Sequence, residues 1–175
     1  MSKYRDRGPY HFFDFVKAGT EYHGHVSDMV NAIGTYAGKC ETLHEVGCGE
    51  GLILSQIRER TSLKVSGNDA DRIAVDMGKM LLPKIPIILT DRMFERTNTF
   101  DVVLFSDSLE HIETLDQHIE WAKASKIVVI AIPSIHDRHA IRQLSSNSFD
   151  SMFRGWNCLE RSTRCARHVI VWGKP

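Results

Sequence analysis

No excess of charge marks this sequence: 22 Lys and Arg stand against 22 Asp and Glu over 175 residues. A neutral total argues against a uniformly basic coat for nucleic acid and against an acidic solvating tail. No apolar run reaches the length of about 18 residues that a membrane helix needs, so no membrane partner is expected. The opening segment, MSKYRDRGPYHFF, carries charge and aromatics where a secretory signal needs a small-residue cleavage site. The four cysteines (Cys40, Cys48, Cys158, Cys165) form no CxxC pair; they read as reduced thiols of a cytoplasmic protein. Repeats, low-complexity tracts and Pro/Gly/Ser linkers are absent too, which leaves one domain. What is present is ordinary for a globular core: 42% hydrophobic and 25% charged residues.

The pattern along the chain changes near residue 40. Before it, Tyr22, Val26, Met29, Val30 and Ile33 recur at three- and four-residue spacing, the mark of a helix with one buried face. After it, strands are expected at 42–46, 63–67, 85–89, 100–105 and 126–132, and helices at 52–60, 71–80 and 115–124. Asp71 stands where it can cap the second of these helices. Such alternation implies an α/β fold with a mostly parallel sheet and helices on both faces. The tail predicts a short helix over 136–144, then strands at 156–160 and 168–172 joined by a polar Arg/Ser/Thr turn. That pair would be an antiparallel hairpin closing the sheet.

In an open parallel sheet, ligands sit beyond the carboxyl ends of the strands. The first strand runs there into Glu45-Val46-Gly47-Cys48-Gly49-Glu50-Gly51. Glycines at a strand-to-helix turn allow tight dihedrals and close ligand approach, and the helix start offers free N–H groups. The third glycine falls one residue early for the dinucleotide pattern GxGxxG, and Leu52 holds the expected glycine position. Glu45 would repel a pyrophosphate but suit a cationic amine. Two further acids follow successive strands: Asp69, placed to accept from ribose hydroxyls, and Asp91, placed to accept from an exocyclic amine. Asp91 serves equally well as a turn residue.

EVGCGEG, VSGNDAD, TD and FDVVLFSDSLEHI, in this order and spacing, resemble the motifs of class I S-adenosylmethionine-dependent methyltransferases of the LEH-containing kind. The resemblance spans residues 41–133. It implies a Rossmann-like seven-stranded sheet with an antiparallel last strand, and S-adenosyl-L-methionine as cofactor. It further implies that Glu45, Gly47, Cys48, Gly49 and Gly51 hold the methionine end, Asp69 and Ala70 the ribose, and Asp91 and Arg92 the adenine, with Ser106 beside the donor. The chain then divides into a helical lid (1–40), a cofactor-binding core (41–133) and an acceptor-side segment with the closing hairpin (134–175).

Methyl transfer to a hydroxyl or amine needs alignment and a base. His136, His111 and Asp107 are the catalytic candidates, with His136 first. Tyr10, His11, Arg138 and His139 are acceptor-side candidates, and Arg7 is a partner for the methionine carboxylate. Asp107, Glu110 and His111 would share one face of a helical turn. They resemble the ExxEH metal element of ubiquinone-biosynthesis O-methyltransferases and small-RNA 3′-end methyltransferases, with Asp in place of the first Glu. The fourth ligand is open among His136, His139 and His168, and the metal is not favoured over a structural LEH turn.

Charge is unevenly spread. Residues 43–133 hold 10 basic and 14 acidic side chains, whereas residues 134–175 hold 7 and 3. An acidic donor half suits a sulfonium, and a basic tail suits an anionic acceptor or RNA, or merely protects an edge hairpin. The expected reaction is O-methylation of a small acceptor, anionic on the evidence of the tail. RNA ribose or end methylation is the alternative; base N-methylation is disfavoured, because Ser106-Asp107-Ser108-Leu109 replaces the [DNS]PP[YFW]-type tetrapeptide of that family. A non-catalytic cofactor-binding subunit with a partner protein ranks last.

Overall fold

The register of the sheet follows from its apolar runs. Val102–Ser106 (β4) is buried at every position and lies between Thr42–Val46 (β1) and Ile127–Pro133 (β5), in parallel with both. Lys64–Asp69 (β2) pairs with β1 on its other side, and Ile87–Leu89 (β3) with β2. Arg167–Gly173 (β7) runs antiparallel to β5, and Asn157–Arg164 (β6) antiparallel to β7. The sheet order is β3-β2-β1-β4-β5-β7-β6. Strand order therefore reverses beside β1, so the carboxyl ends of β1 and β4 flank a crevice. The computed structural model describes residues 8–16, 21–134 and 140–175.

One sheet face is covered by Glu21–Tyr36 (α2), Leu52–Arg60 (α3) and Arg72–Leu81 (α4). Val26, Met29 and Ile33 of α2 and Leu54 and Ile57 of α3 pack on Leu43, Leu104 and Val129. Tyr10–Val16 (α1) precedes α2 and sends Phe12 and Phe15 to the same cluster. Leu115–Ala122 (α5) covers the other face with Leu115 and Ile119, beside Phe149 and Phe153 from the segment after β5. Asp71 caps α4 as expected, its side chain accepting from the Ile73 and Ala74 amides.

Three expectations need correction. Residues 140–144 are not helical, and residues 135–139 lie outside the described residues. Ile141 N–H instead donates to the Glu110 carbonyl, which fixes an extended crossing. β3 begins only at Ile87: Pro86 accepts from Gly67 N–H through its carbonyl but, having no N–H, cannot donate to the ladder. Arg161 to Arg164 belong to β6, and the turn is Cys165-Ala166, both left-handed (φ 45 and 57). Two such residues give the twist that short hairpins need. Nothing in a Cys-Ala pair advertises that conformation. Gly24 of α2 lies against this turn, where a Cβ would stand 2.5 Å from Cys165 Sγ.

A buried polar group sits inside the sheet. His44 on β1 stacks on Phe100 (centroids 4.5 Å apart) and meets Trp121 edge-on. Its Nδ1 lies 2.8 Å from Ser66 Oγ and its Nε2 2.9 Å from Asn68 Oδ1. Burial pushes its pKa down to about 4, against the raising effect of the Asn68 bond. The unfolded chain protonates this imidazole first as pH falls, so stability is lost between about pH 6.5 and pH 4. The loss reaches roughly 3 kcal/mol at most. His44→Phe is expected to flatten this part of the denaturant-midpoint profile.

Candidate active site

The glycine loop owes its shape to three left-handed glycines: Gly47 (φ 76), Gly49 (φ 57) and Gly51 (φ 87). At Gly47 a Cβ would lie 2.6 Å from Ser108 Cβ, so only glycine lets the β1 and β4 ends approach this closely. The loop is tied down from β2. The Asn68 carbonyl accepts from the Gly47 and Cys48 amides, both at 2.9 Å. The Asp69 carboxylate accepts from Gly49 N–H through Oδ2 and from Asp71 N–H through Oδ1, each at 2.8 Å. Cys48 turns its thiol into the core, where burial raises its pKa well above the usual range.

A cavity of about 610 Å³ opens at the ends of β1 to β4. Gly47, Asp69, Ala70, Asp91, Arg92, Asp107 and His111 line it, so seven residues chosen from sequence converge there. Asn68, Thr90 and His118 complete its walls. Neither Glu45, Cys48, Gly49, Gly51 nor Ser106 lines this cavity. Glu45 is 2% exposed beneath the loop, and its Oε2 has no hydrogen-bond partner among the described residues. Burial raises its pKa well above the carboxylate range, and the neighbouring Asp69 and Glu50 add to that. Asp69 shifts upward for the same first reason, with its two backbone bonds opposing. Ser106 faces α2, its Oγ 3.0 Å from His25 Nε2. Arg92 turns outward to Glu95 (2.6 Å).

The LEH turn departs from the expected helix. Leu109–His111 is a single 3₁₀ turn, preceded by Asp107 in a left-handed conformation (φ 49). Arg167 Nε donates to both oxygens of Asp107, at 3.0 and 2.8 Å. Glu110 is buried and His111 exposed. Glu110 Oε1 and His111 Nε2 lie 4.0 Å apart while Asp107 turns to Arg167, and no three metal-ligand side chains converge among the described residues. His168 bonds Thr163 Oγ1 at 2.9 Å. His136, Arg138, His139 and Arg7 lie outside the described residues, as does the Tyr10 side chain.

Some contributors are not legible from sequence. Glu50, fully buried, accepts from His11 N–H at 2.8 Å and lies 2.7 Å from His11 Nδ1, which docks the start of α1 on the loop. A charged residue between two loop glycines was the available signal. Arg167, Asn68 and His118 emerge only from tertiary pairing. His118 Nδ1 lies 3.0 Å from the Thr114 carbonyl, and burial lowers its pKa. No helix among the described residues is long and apolar enough to cross a membrane.

Residues 44–126 match the family model described as a methyltransferase domain. No curated protein matches the chain. Among solved structures, the PH0226 protein of Pyrococcus horikoshii OT3 shares 13% identity, covers 100% of both chains and superposes with a TM-score of 0.77. Magnesium protoporphyrin IX methyltransferase of Synechocystis PCC 6803, solved with bound S-adenosylmethionine, shares 14% identity over 99% of this chain and 92% of its own, with a TM-score of 0.76. A methyltransferase of Haloferax volcanii described as putative, in complex with the Trm112 activator, shares 12% over 86% and 89%, with a TM-score of 0.69. At these identities the structural likeness is one of fold. With the family match over residues 44–126, just under half of the chain, it supports one conclusion: this part of the chain is similar to methyltransferase domains, and the whole shares its fold with S-adenosylmethionine-dependent methyltransferases.

Proposed function

We propose that the chain transfers a methyl group from S-adenosylmethionine to a hydroxyl of a small acceptor, with the donor's nucleoside in the strand-end cleft. The observation that carries this reading is the pair of carboxylates, Asp69 and Asp91, lining one cavity of about 610 Å³. Asp69 accepts one backbone bond per oxygen, and a carboxylate has about four acceptor directions, so ribose hydroxyls can take the others. Asp91 then takes the adenine amine, with Ala70 and Arg92 flanking the nucleoside. Glu45 serves the cationic methionine end: its buried, unpartnered Oε2 fits a positive group, as does the acid cluster it forms with Asp69 and Glu50. Gly47, Gly49 and Gly51 shape the loop around the donor, and Cys48 contributes backbone only.

The cofactor supplies a methyl on a sulfonium that leaves neutral. The protein's share is alignment in a partly dry site, worth up to about 7–11 kcal/mol in well-oriented reactions. Residues 1–40 act as the lid, with Tyr10 and His11 at its front and the Glu50–His11 clamp as its latch. A hydroxyl acceptor must also lose a proton. His111, exposed on the cavity wall, is placed for the base role, with His136 of the acceptor-side segment as the other candidate. Asp107 positions the β4 end, its carboxylate bound to Arg167.

The arginines of the tail support a small acceptor over RNA. Arg161 pairs with Asp150, Arg164 with Glu160 at 3.2 Å and Arg167 with Asp107, so these three form internal ties instead of a stripe for phosphates. A neighbour of the same fold is complexed with an activator, which keeps a partner protein as the second reading. Donor binding without turnover on any acceptor panel would favour it.

Calorimetric titration with S-adenosylhomocysteine is expected to show binding that Asp69→Ala weakens at least about tenfold, the loss of one or two charge-assisted hydrogen bonds. Unchanged affinity would remove Asp69 from the ribose. Glu50→Ala is expected to speed amide hydrogen exchange across residues 10–16; protection equal to wild type would show that the clamp does not hold the lid.

A further inference from the structure

Three strand ends enclose the nucleoside half of the cleft, and one residue ties them together. Asn68 is 2% exposed and lines the cavity wall. Its backbone carbonyl holds the first two amides of the glycine loop after β1. Its side-chain Nδ2 donates to the Thr90 carbonyl at 2.9 Å, just past β3. Its Oδ1 lies 2.9 Å from His44 Nε2. The amide orientation is determined, because only the NH₂ end can serve a carbonyl. It follows that His44 carries its proton on Nε2 and donates it to Asn68, while Nδ1 accepts from Ser66 Oγ.

Resting on the donor-cleft reading, we propose that Asn68, oriented by His44, is a positioning residue for S-adenosylmethionine that sets the spacing between the ribose acid Asp69 and the adenine acid Asp91. The backbone supports this division of labour. Asp69 follows Asn68 directly, and Asp91 follows Thr90 directly, so a bond from Asn68 to Thr90 fixes the two carboxylates relative to each other. The strand pairing between β2 and β3 spans only Gly67 to Asp69, with the Thr90 amide on the Asp69 carbonyl, so few other bonds hold this edge. β3 is also the outermost strand of the sheet, with no strand beyond it among the described residues. A three-residue edge strand is a weak wall for a binding site. The Asn68 side chain braces it from within. His44 stays in place because Phe100 and Trp121 pack around its ring, and being neutral it can donate at one nitrogen and accept at the other.

A merely structural polar network behaves differently from a positioning one. Replacing both partners of a buried hydrogen bond by apolar groups of similar shape can leave stability nearly unchanged, but it releases Thr90 and hence Asp91. The test is calorimetric titration of the full chain with S-adenosylhomocysteine, alongside thermal melting. The double variant N68L/H44F, in which both partners are apolar, is expected to keep its melting temperature near wild type and to raise Kd about tenfold, the worth of one or two hydrogen bonds. N68L alone, which leaves the buried His44 donor without its acceptor, is expected to melt lower with the same loss of affinity. H44F, which keeps the ring stack but not the donor, is expected to follow it. H44Q, whose amide NH₂ can reach the place of Nε2, is expected to restore affinity. Wild-type affinity in N68L would overturn the proposal, as would equal losses in H44Q and H44F. Should N68L not fold, the H44Q and H44F pair decides alone. If the wild-type chain bound no S-adenosylhomocysteine, the donor-cleft reading itself would fall, a result distinct from either of the others.

Discussion

The Asp69 carboxylate stands half-buried at the junction of β2 with two turns, and it answers a need at each. Through one oxygen it accepts the amide of Gly49 in the glycine loop, and through the other the amide of Asp71 at the entry to α4. Hydrogen bonds to a charged acceptor contribute about 1.5–3 kcal/mol each, which offsets part of the cost of burying the charge. Desolvation still wins, since the pKa moves up. The loop therefore depends on a group that is held in place but incompletely neutralised. That is the condition in which a ligand offering hydroxyl donors gains most from arriving.

The same logic extends to the acids around it. Glu45 and Glu50 lie close enough that Asp69 and Glu50 both push the Glu45 carboxyl upward. Packing three acids under one loop runs against folding, and few described groups relieve it. The start of α3 has no side-chain cap, so its amides remain available on the loop side. His11 relieves Glu50 by closing α1 onto it. The glycine loop and α1 are thus joined through one buried carboxylate. Among the described side chains of α1, Phe12 and Phe15 reach the core, and the bond to Glu50 adds a polar anchor.

What could be read in the sequence was what repeats with a short period or stands at a strand end. The parallel strands were legible because FDVVLF and KIVVIAI are continuous apolar runs, and buried parallel strands have that form. The acids after β1, β2 and β3 were legible because the chain direction places every parallel strand's carboxyl end on one side. The hairpin was legible as a pair, but its turn was not. Polar Arg161 to Arg164 resembled a loop because β6 is an edge strand exposed on both faces, and the two-residue turn rests on left-handed Cys165 and Ala166. His44 and Asn68 carried no signal, since a polar residue in a short strand reads as surface unless its partner is known. Their partners lie 22 to 24 residues away. Spacing along the chain has no means of expressing that.

Charge shows the same limit more sharply. The tail is basic in sequence, 7 against 3, and that imbalance suggested a surface for an anion. In the fold Arg167 reaches across to Asp107 and locks β7 to the end of β4. Arg161 binds Asp150 while its guanidinium lies 5.7 Å from the Trp172 ring, and Phe153 stacks on the same indole at 5.1 Å. Arg164 closes on Glu160. These arginines fasten an edge hairpin and an irregular crossing that have few backbone bonds between them. A guanidinium is suited to this because its planar fork serves several acceptors at once. The polarity between the halves of the chain is thus largely internal: acids gathered at the donor loop, bases tying down the far edge.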